Sequence, residues 1–311
     1  MPRAQGARSI LSGAFESTYG TAPGSGFMSL PFNRNMLGGA AQLLDDPVLG
    51  QGRDPLAPQL DALDVNGDIE VPLDVEAVGI WLKAAFGAPA TTGSSTYTHV
   101  FSSGGWSVPS LALETGIPEV SHYMMHTGCM VDRLQFGQAR KGWASLSVGL
   151  VGQAETVNSS TQAGTPDEFE YQRFLQRQGS ITRGGSALAD VVSAEITYSN
   201  NLEPAENVGN GGLIAGADPN MASLGVRLVT RFSSAALVDQ AIAGGSAAFT
   251  FAYSDGTNSL TFSVPKLFLD RPKRMIEGPG GIQVTFDGRA SQDAGGDPMV
   301  TATLVNTVDA Y

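Results

Sequence analysis

Apolar and polar residues alternate in short runs along most of the chain, and two stretches switch to helical spacing. Val65, Ile69 and Val71 lie at even spacing with Asp68 and Glu70 between them, which predicts a strand with one buried and one wet face. Pro72 ends that ladder. Asp74 is placed to cap a helix over 74–86, where Val75, Val78, Trp81, Leu82, Ala85 and Phe86 form an apolar stripe closed by Gly87 and Pro89. Strands are predicted at 27–35, 97–102, 110–116, 122–127, 131–138 and 144–151. The later part repeats the order. A strand at 191–199 alternates Val192, Ala194, Ile196 and Tyr198, and another follows at 225–232. A helix at 235–243 is stopped by Gly244-Gly245, and strands follow at 247–253, 261–264, 282–286 and 300–305, with a turn at Asp255-Gly256.

The strand-then-helix order thus occurs twice, at 64–86 and at 223–243. Long excursions at 38–63 and 200–222 precede the two units, with Asn33 and Asn35 before the first and Asn200-Asn201 before the second. The parallel is one of order, not identity, and chance similarity within a β-rich chain is the competing explanation. The expected organisation is an N-terminal arm at 1–26 without a core of its own, a first β unit at 27–155, a linker or docking segment at 156–178, and a second β unit at 179–311. The fold class expected is mainly β: sandwich or barrel units, each flanked by a short helix, in tandem. In the linker region 152–178 the first part reads as polar, while Phe169, Tyr171, Phe174 and Leu175 are apolar enough to dock.

With 39 Gly and 15% charged residues, the composition fits many short strands joined by tight turns. The net charge of −12 is divided evenly between the halves, so no basic tail or basic half is available to grip nucleic acid. The single Cys129 excludes an intramolecular disulfide and is compatible with a reducing cytoplasm. Neither a signal-peptide pattern nor a membrane-length apolar run is present, so a soluble, cytoplasmically made protein is expected.

Catalytic and metal motifs fail on inspection. Asp64, Asn66 and Asp68 have the spacing of a calcium loop, but Ile69 and Val75 stand where Gly and a bidentate Glu belong; a turn at Asn66-Gly67 is the simpler reading. His122, His126 and Cys129 lie close together in a strand or loop context without further ligands, and a solvated or half-buried edge is expected there rather than zinc. No nucleophile elbow or phosphate loop occurs, and GNGGLIAG at 209–216 lacks both Lys and a following helix. Asp45-Asp46 and Asp167-Glu168 are expected to be solvated. Hence no catalytic residue, cofactor site or metal site is assigned, and an enzyme is not expected. Lys266, Arg271, Lys273 and Arg274 form a basic cluster suited to an acidic surface on a neighbouring copy.

In order along the chain, GDIEVPLDVEAVGIWLKAAFG, YTHVF, PSLALE, GCMVDRLQF and SLSVGLVGQ, then SNNLEP, AIAG, SLTFSVPKLFLDRP and GPGGIQVTF, resemble the tail tube (major tail) proteins of tailed phages over residues 60–306. The resemblance implies a structural virion protein: a β-sandwich flanked by a helix, assembled into rings that stack into a hollow tail tube through which DNA is delivered. It implies partners in other copies of itself and in terminator, tape measure and distal tail proteins. It also implies DNA that passes without specific binding, no membrane, and assembly in the bacterial host cytoplasm. Rings of this family commonly hold six sandwich units, so two units per chain suggest a trimeric ring with pseudo-sixfold symmetry, a hexamer being the alternative. Part of the negative charge is expected to face the lumen. Nothing in the sequence distinguishes a flexible from a contractile tail. The competing function is a carbohydrate-binding or adhesin-like β-sandwich, which would need an aromatic platform; Trp81 lies on a helix stripe, and Trp106 and Trp143 sit singly.

Overall fold

A computed structural model describes residues 3–311 apart from 274, 275, 277 and 294. Among the described residues the chain is mainly β with two α-helices. The strands are β1 (Ile10–Phe15), β2 (Met28–Ser29), β3 (Arg34–Asn35), β4 (Gly38–Ala40), β5 (Leu43–Leu44), β6 (Gln59–Leu60), β7 (Asp64–Pro72), β8 (Ala90–Gly93), β9 (Tyr97–Ser102), β10 (Ser110–Ile117), β11 (His122–Ala139) and β12 (Ser145–Gly152). The later strands are β13 (Ala154–Asn158), β14 (Gly179–Arg183), β15 (Ser186–Ala187), β16 (Val191–Ser199), β17 (Leu202–Pro204), β18 (Ala217–Pro219), β19 (Ser223–Arg231), β20 (Ser246–Ser254), β21 (Ser259–Leu269), β22 (Gln283–Ala290) and β23 (Thr301–Asn306). Helix α1 (Val78–Phe86) follows β7, and α2 (Ala236–Ala243) follows β19.

All named strand pairs are antiparallel. A central sheet runs β3/β4–β7–β12–β11–β16–β19–β22, with the end of β21 beside β22. The long strands β11 and β21 start outside it. The first half of β11 belongs to the outer order β2–β1–β10–β11–β13, and the first part of β21 to β15–β14–β20–β21–β23–β9–β8. Six kinds of pairing have a counterpart in the other half. β1–β10 matches β14–β20, β10–β11 matches β20–β21, and β11–β12 matches β21–β22. β11–β13 matches β21–β23, β12–β7 matches β22–β19, and β3/β4–β7 matches β16–β19. The halves also interlock: β11 pairs with β16, β9 pairs with β23, and one apolar cluster spans both. Phe136 stacks on Phe262 at 4.4 Å between ring centroids, and Phe86 meets Tyr198 at 4.5 Å.

The structure revises several expectations. Residues 1–26 are not a free arm, because β1 is hydrogen-bonded to β10 and buries Leu11 and Ala14. The runs 122–127 and 131–138 are one strand, and part of the polar stretch after 152 is β13. Phe174 of the docking segment is fully buried, its backbone bonded to Leu73 and Ala144. A register shift between Val191 and Ser193 turns Val192 outward, out of the alternation assigned to it. Asn66-Gly67 lies inside β7 and is not a turn. Helix α1 has no solvent stripe: every residue except Lys83 is buried, since the helix packs against β11 and β9. Helix α2 keeps the one-sided pattern, burying Leu237, Val238, Gln240 and Ala241.

Helix α1 starts at Val78, four residues later than the predicted 74; Asp74 lies in the turn before it and accepts from the N–H groups of Ala77 and Val78 at 2.9 and 2.8 Å, donors that the helix start leaves free. Burial outweighs these bonds and raises its pKa from 3.8 to about 6. The folded state therefore binds a proton more tightly than the unfolded state. This contribution to stability is complete below pH 4 and is lost as pH rises through 6. Asp74→Asn is expected to remove that dependence, so wild type loses on the order of 1–3 kcal/mol relative to the variant between pH 4 and 7.5. Urea titrations at the two pH values check this; parallel pH profiles would refute it.

A buried asparagine joins the halves. Asn200 Nδ2 donates to the carbonyls of Ala85 and Val131 at 3.0 and 2.8 Å, and its Oδ1 accepts from the Tyr198 hydroxyl at 2.8 Å. At the other end of the helix, buried Asn306 donates to the Val75 carbonyl. Asn200→Ala strands three polar groups and is expected to cost ~2–3 kcal/mol in chemical unfolding. A change within experimental error would remove this residue from the junction argument.

Candidate functional site: sheet face, sheet edge and projecting hairpins

The central sheet buries one face and leaves the other polar, as strand alternation dictates. The exposed side carries Asp64, Asp68 and Glu70 from β7, Arg133 and Gln135 from β11, and Glu195 from β16. It also carries Arg227 and Arg231 from β19 and Asp287 and Arg289 from β22, with Arg34 opposite Glu70. Five arginines thus face five acids. Arg133 bridges Asp68 at 2.9 Å, Gln135 donates to Glu195, and Glu195 and Asp287 lie on either side of Arg227 in register. Ser145, Ser147, Ser193 and Thr285 fill the spaces between. The face is close to electroneutral, so the chain's surplus of acid lies elsewhere.

Much of that surplus is on projecting segments. Between β4 and β7, the β5–β6 hairpin carries Asp45, Asp46, Asp54 and Asp61 against Arg53, and exposes Leu43, Leu44, Leu49 and Leu60. Between β16 and β19, the β17–β18 hairpin carries Glu203, Glu206 and Asp218 with no basic residue, and exposes Val208. These are the two excursions read from the sequence, and both are hairpins. GNGGLIAG forms part of the second one's tip. Exposed apolar side chains grouped in this way mark an interaction surface.

His126 is fully buried, not at a solvated edge; its Nε2 lies 3.0 Å from Glu155 Oε2 and its Nδ1 3.2 Å from the Leu113 carbonyl. His122 is half-buried, and Cys129 is buried with its thiol pKa pushed up by burial. Asp45, Asp46, Asp167 and Glu168 are exposed. Among the described residues, no group of three or more His, Cys, Asp or Glu side chains is arranged to hold a metal. Lys266 pairs within the chain, with Asp293, instead of waiting for a neighbour. Arg271 and Lys273 are exposed, and Arg274 lies outside the described residues. Trp81 is buried. Trp143 is covered by Arg173 at 4.9 Å, and Trp106 stands in a loop, so the described residues form no aromatic platform. Among the described residues, no helix is long and apolar enough to cross a membrane.

The chain is thus built on a large antiparallel sheet with one polar face and two hairpins that expose apolar side chains. A family model described as phage tail tube protein matches residues 6–290, and the chain belongs to that family. No curated protein matches it. It is therefore a structural component of a phage tail.

Proposed function

We propose that the chain self-assembles into rings that stack into the hollow tube for DNA delivery, with two structural copies of one β unit per chain and three chains per ring. The observation that carries this is the matching of strand pairings between the halves. Four strands of the central sheet come from each: β3/β4, β7, β12 and β11, then β16, β19, β22 and the end of β21. Three chains supply 24 strand positions. At ~4.8 Å between strands and a tilt near 45°, these close a barrel of backbone radius about 26 Å and a bore of roughly 40 Å. A DNA duplex about 20 Å wide passes with water to spare.

In this reading the polar sheet face lines the lumen. Its balanced, internally paired charges replace the acidic wall expected from net charge, and DNA slides because no surplus of cations binds phosphate. The hairpins, with their acids and exposed leucines, contact neighbouring copies within and between rings. Terminator, tape measure and distal tail proteins bind the tube ends, assembly takes place in the host cytoplasm, and the protein catalyses no reaction. Electron microscopy of purified protein tests the proposal. Tubes or rings with three major lobes are expected; discrete monomers at high concentration would defeat it, and six equal chains per ring would replace the trimer with a hexamer.

A further inference from the structure

The chain holds two Asn-Gly pairs, and the fold treats them differently. Asn66-Gly67 lies within β7, where Asn66 is opposite Gly38 on one side and Val151 on the other, and Gly67 is opposite Leu150. Asn210-Gly211 lies in the GNGGLIAG run at the exposed tip of the β17–β18 hairpin. There the Leu213 N–H donates to the Asn210 carbonyl at 3.2 Å and closes a turn around Gly211, whose φ of +65° suits glycine. Among the described residues nothing accepts a hydrogen bond from the Gly211 N–H. The Asn210 side chain folds back over the same turn, its Nδ2 donating to the carbonyls of Leu213 and Ile214 at 2.9 and 3.3 Å.

We propose that Asn210 is a self-modifying site, which deamidates through a cyclic imide formed with Gly211. Every asparagine sets its side-chain carbonyl carbon next to the following backbone nitrogen. At Asn210 that nitrogen is unbonded, the next residue has no Cβ to hinder ring closure, and water surrounds the pair. The Gly211 N–H gives its proton to hydroxide, and the nitrogen bonds to Asn210 Cγ. The Cγ–Nδ2 bond breaks, and the side-chain nitrogen leaves as ammonia with a proton from water. A second water opens the ring at either carbonyl. One opening gives aspartate; the other gives isoaspartate, in which the main chain runs through Cγ. The reaction needs only water and base.

The product loosens the tip. A carboxylate replaces the amide that donated to two carbonyl oxygens, so acceptor faces acceptor. The Ile214 carbonyl also accepts from Gln153 Nε2 at 2.9 Å, a bond that ties the tip to the body of the chain. Glu203, Glu206 and Asp218 already charge this hairpin, and residues 200–222 contain no Lys or Arg to balance a further negative charge. The change runs one way, so the tip records the age of the chain.

The test keeps the purified full-length chain folded in mildly alkaline buffer and samples it over time. Peptide mass spectrometry locates the modified residue, and isoaspartyl methyltransferase labelling detects the rearranged product. Asn210 is expected to convert at least ~10-fold faster than Asn66, whose backbone must first open from the ladder. In urea the two rates are expected to converge. Asn210 that stays intact in the folded chain while converting in urea, or equal rates at both sites in the folded chain, would overturn the proposal. Asn210→Asp supplies the product's charge directly, and its Leu213 amide is expected to exchange hydrogen ~10-fold faster than in wild type. Unchanged exchange would overturn the loosening. Asn210→Gln, which closes a larger ring far more slowly, is expected to age without modification at this position. The effect on assembly rests on the ring reading above: aged wild type is expected to form fewer tubes than equally aged Asn210→Gln. Equal yields would overturn the link to assembly, whereas fresh protein that forms no tubes would remove the ring reading and leave the modification standing.

Discussion

Deleting residues 1–26 is expected to leave no cooperatively folded protein, whereas deleting 1–8 leaves a stable one. β1 pairs with β10 from Ile10↔Gly116 to Phe15↔Leu111 and buries Leu11 and Ala14. Glu16, just beyond, accepts from the Gly128 N–H at 2.8 Å and from the Ser110 hydroxyl at 2.7 Å. The longer deletion strips these contacts, uncovers the β10 edge and leaves the Gly128 donor without its acceptor. Losing one buried leucine alone costs about 2–5 kcal/mol, against a whole-domain stability of roughly 5–15 kcal/mol. The shorter deletion removes the Arg8–Glu119 pair and the Gln5 N–H bond to the same carboxylate but no buried apolar side chain, and opening Glu119 to water offsets the loss, so the cost is expected to be on the order of 1–2 kcal/mol. Far-UV circular dichroism and urea unfolding distinguish the two. A sharp, native-like transition from the longer deletion would show that β1 is dispensable and restore the free-arm description.

Glu195→Lys combined with Asp287→Lys is expected to give normal tubes that deliver DNA poorly. Both side chains are exposed on the polar sheet face, one on each side of Arg227, so neither supports the core. The pair of changes takes that face from balance to a surplus of four positive charges per chain. In the proposed lumen each added cation within reach of a phosphate would retain DNA, and infectivity is expected to fall at least ~100-fold, more steeply at low salt. Virions with normal-length tails and an unchanged titre would show that this face does not line the DNA path. Glu195→Gln with Asp287→Asn serves as the milder control and is expected to lie between the two.

Much of the secondary structure was legible because strand and helix periods are local properties. Val65, Ile69 and Val71 marked β7, Asp74 marked the turn before α1, and Ala194, Ile196 and Tyr198 marked β16. The excursions at 38–63 and 200–222 were recognised by their glycines and prolines, although their short hairpin ladders were not. Val192 was misplaced because a register shift has no signature in hydrophobicity. The burial of His126 has no local signature because it depends on Glu155, 29 residues away, and on the Leu113 carbonyl.

The sequence by itself determined a mainly β chain, two short helices, the order of elements shared by its halves, and the tail tube family to which it belongs. Those follow from alternation, capping and turn residues acting over a few positions. Only the tertiary structure decided that β1 is built into the fold, that α1 is enclosed on all sides, and that the halves interlock through β11–β16 and β9–β23. It also decided where charge goes: balanced across the polar sheet, with surplus acid on the hairpins. Net charge is a sum over residues and carries no direction, whereas the face on which each side chain lies is set by register between strands far apart in the chain.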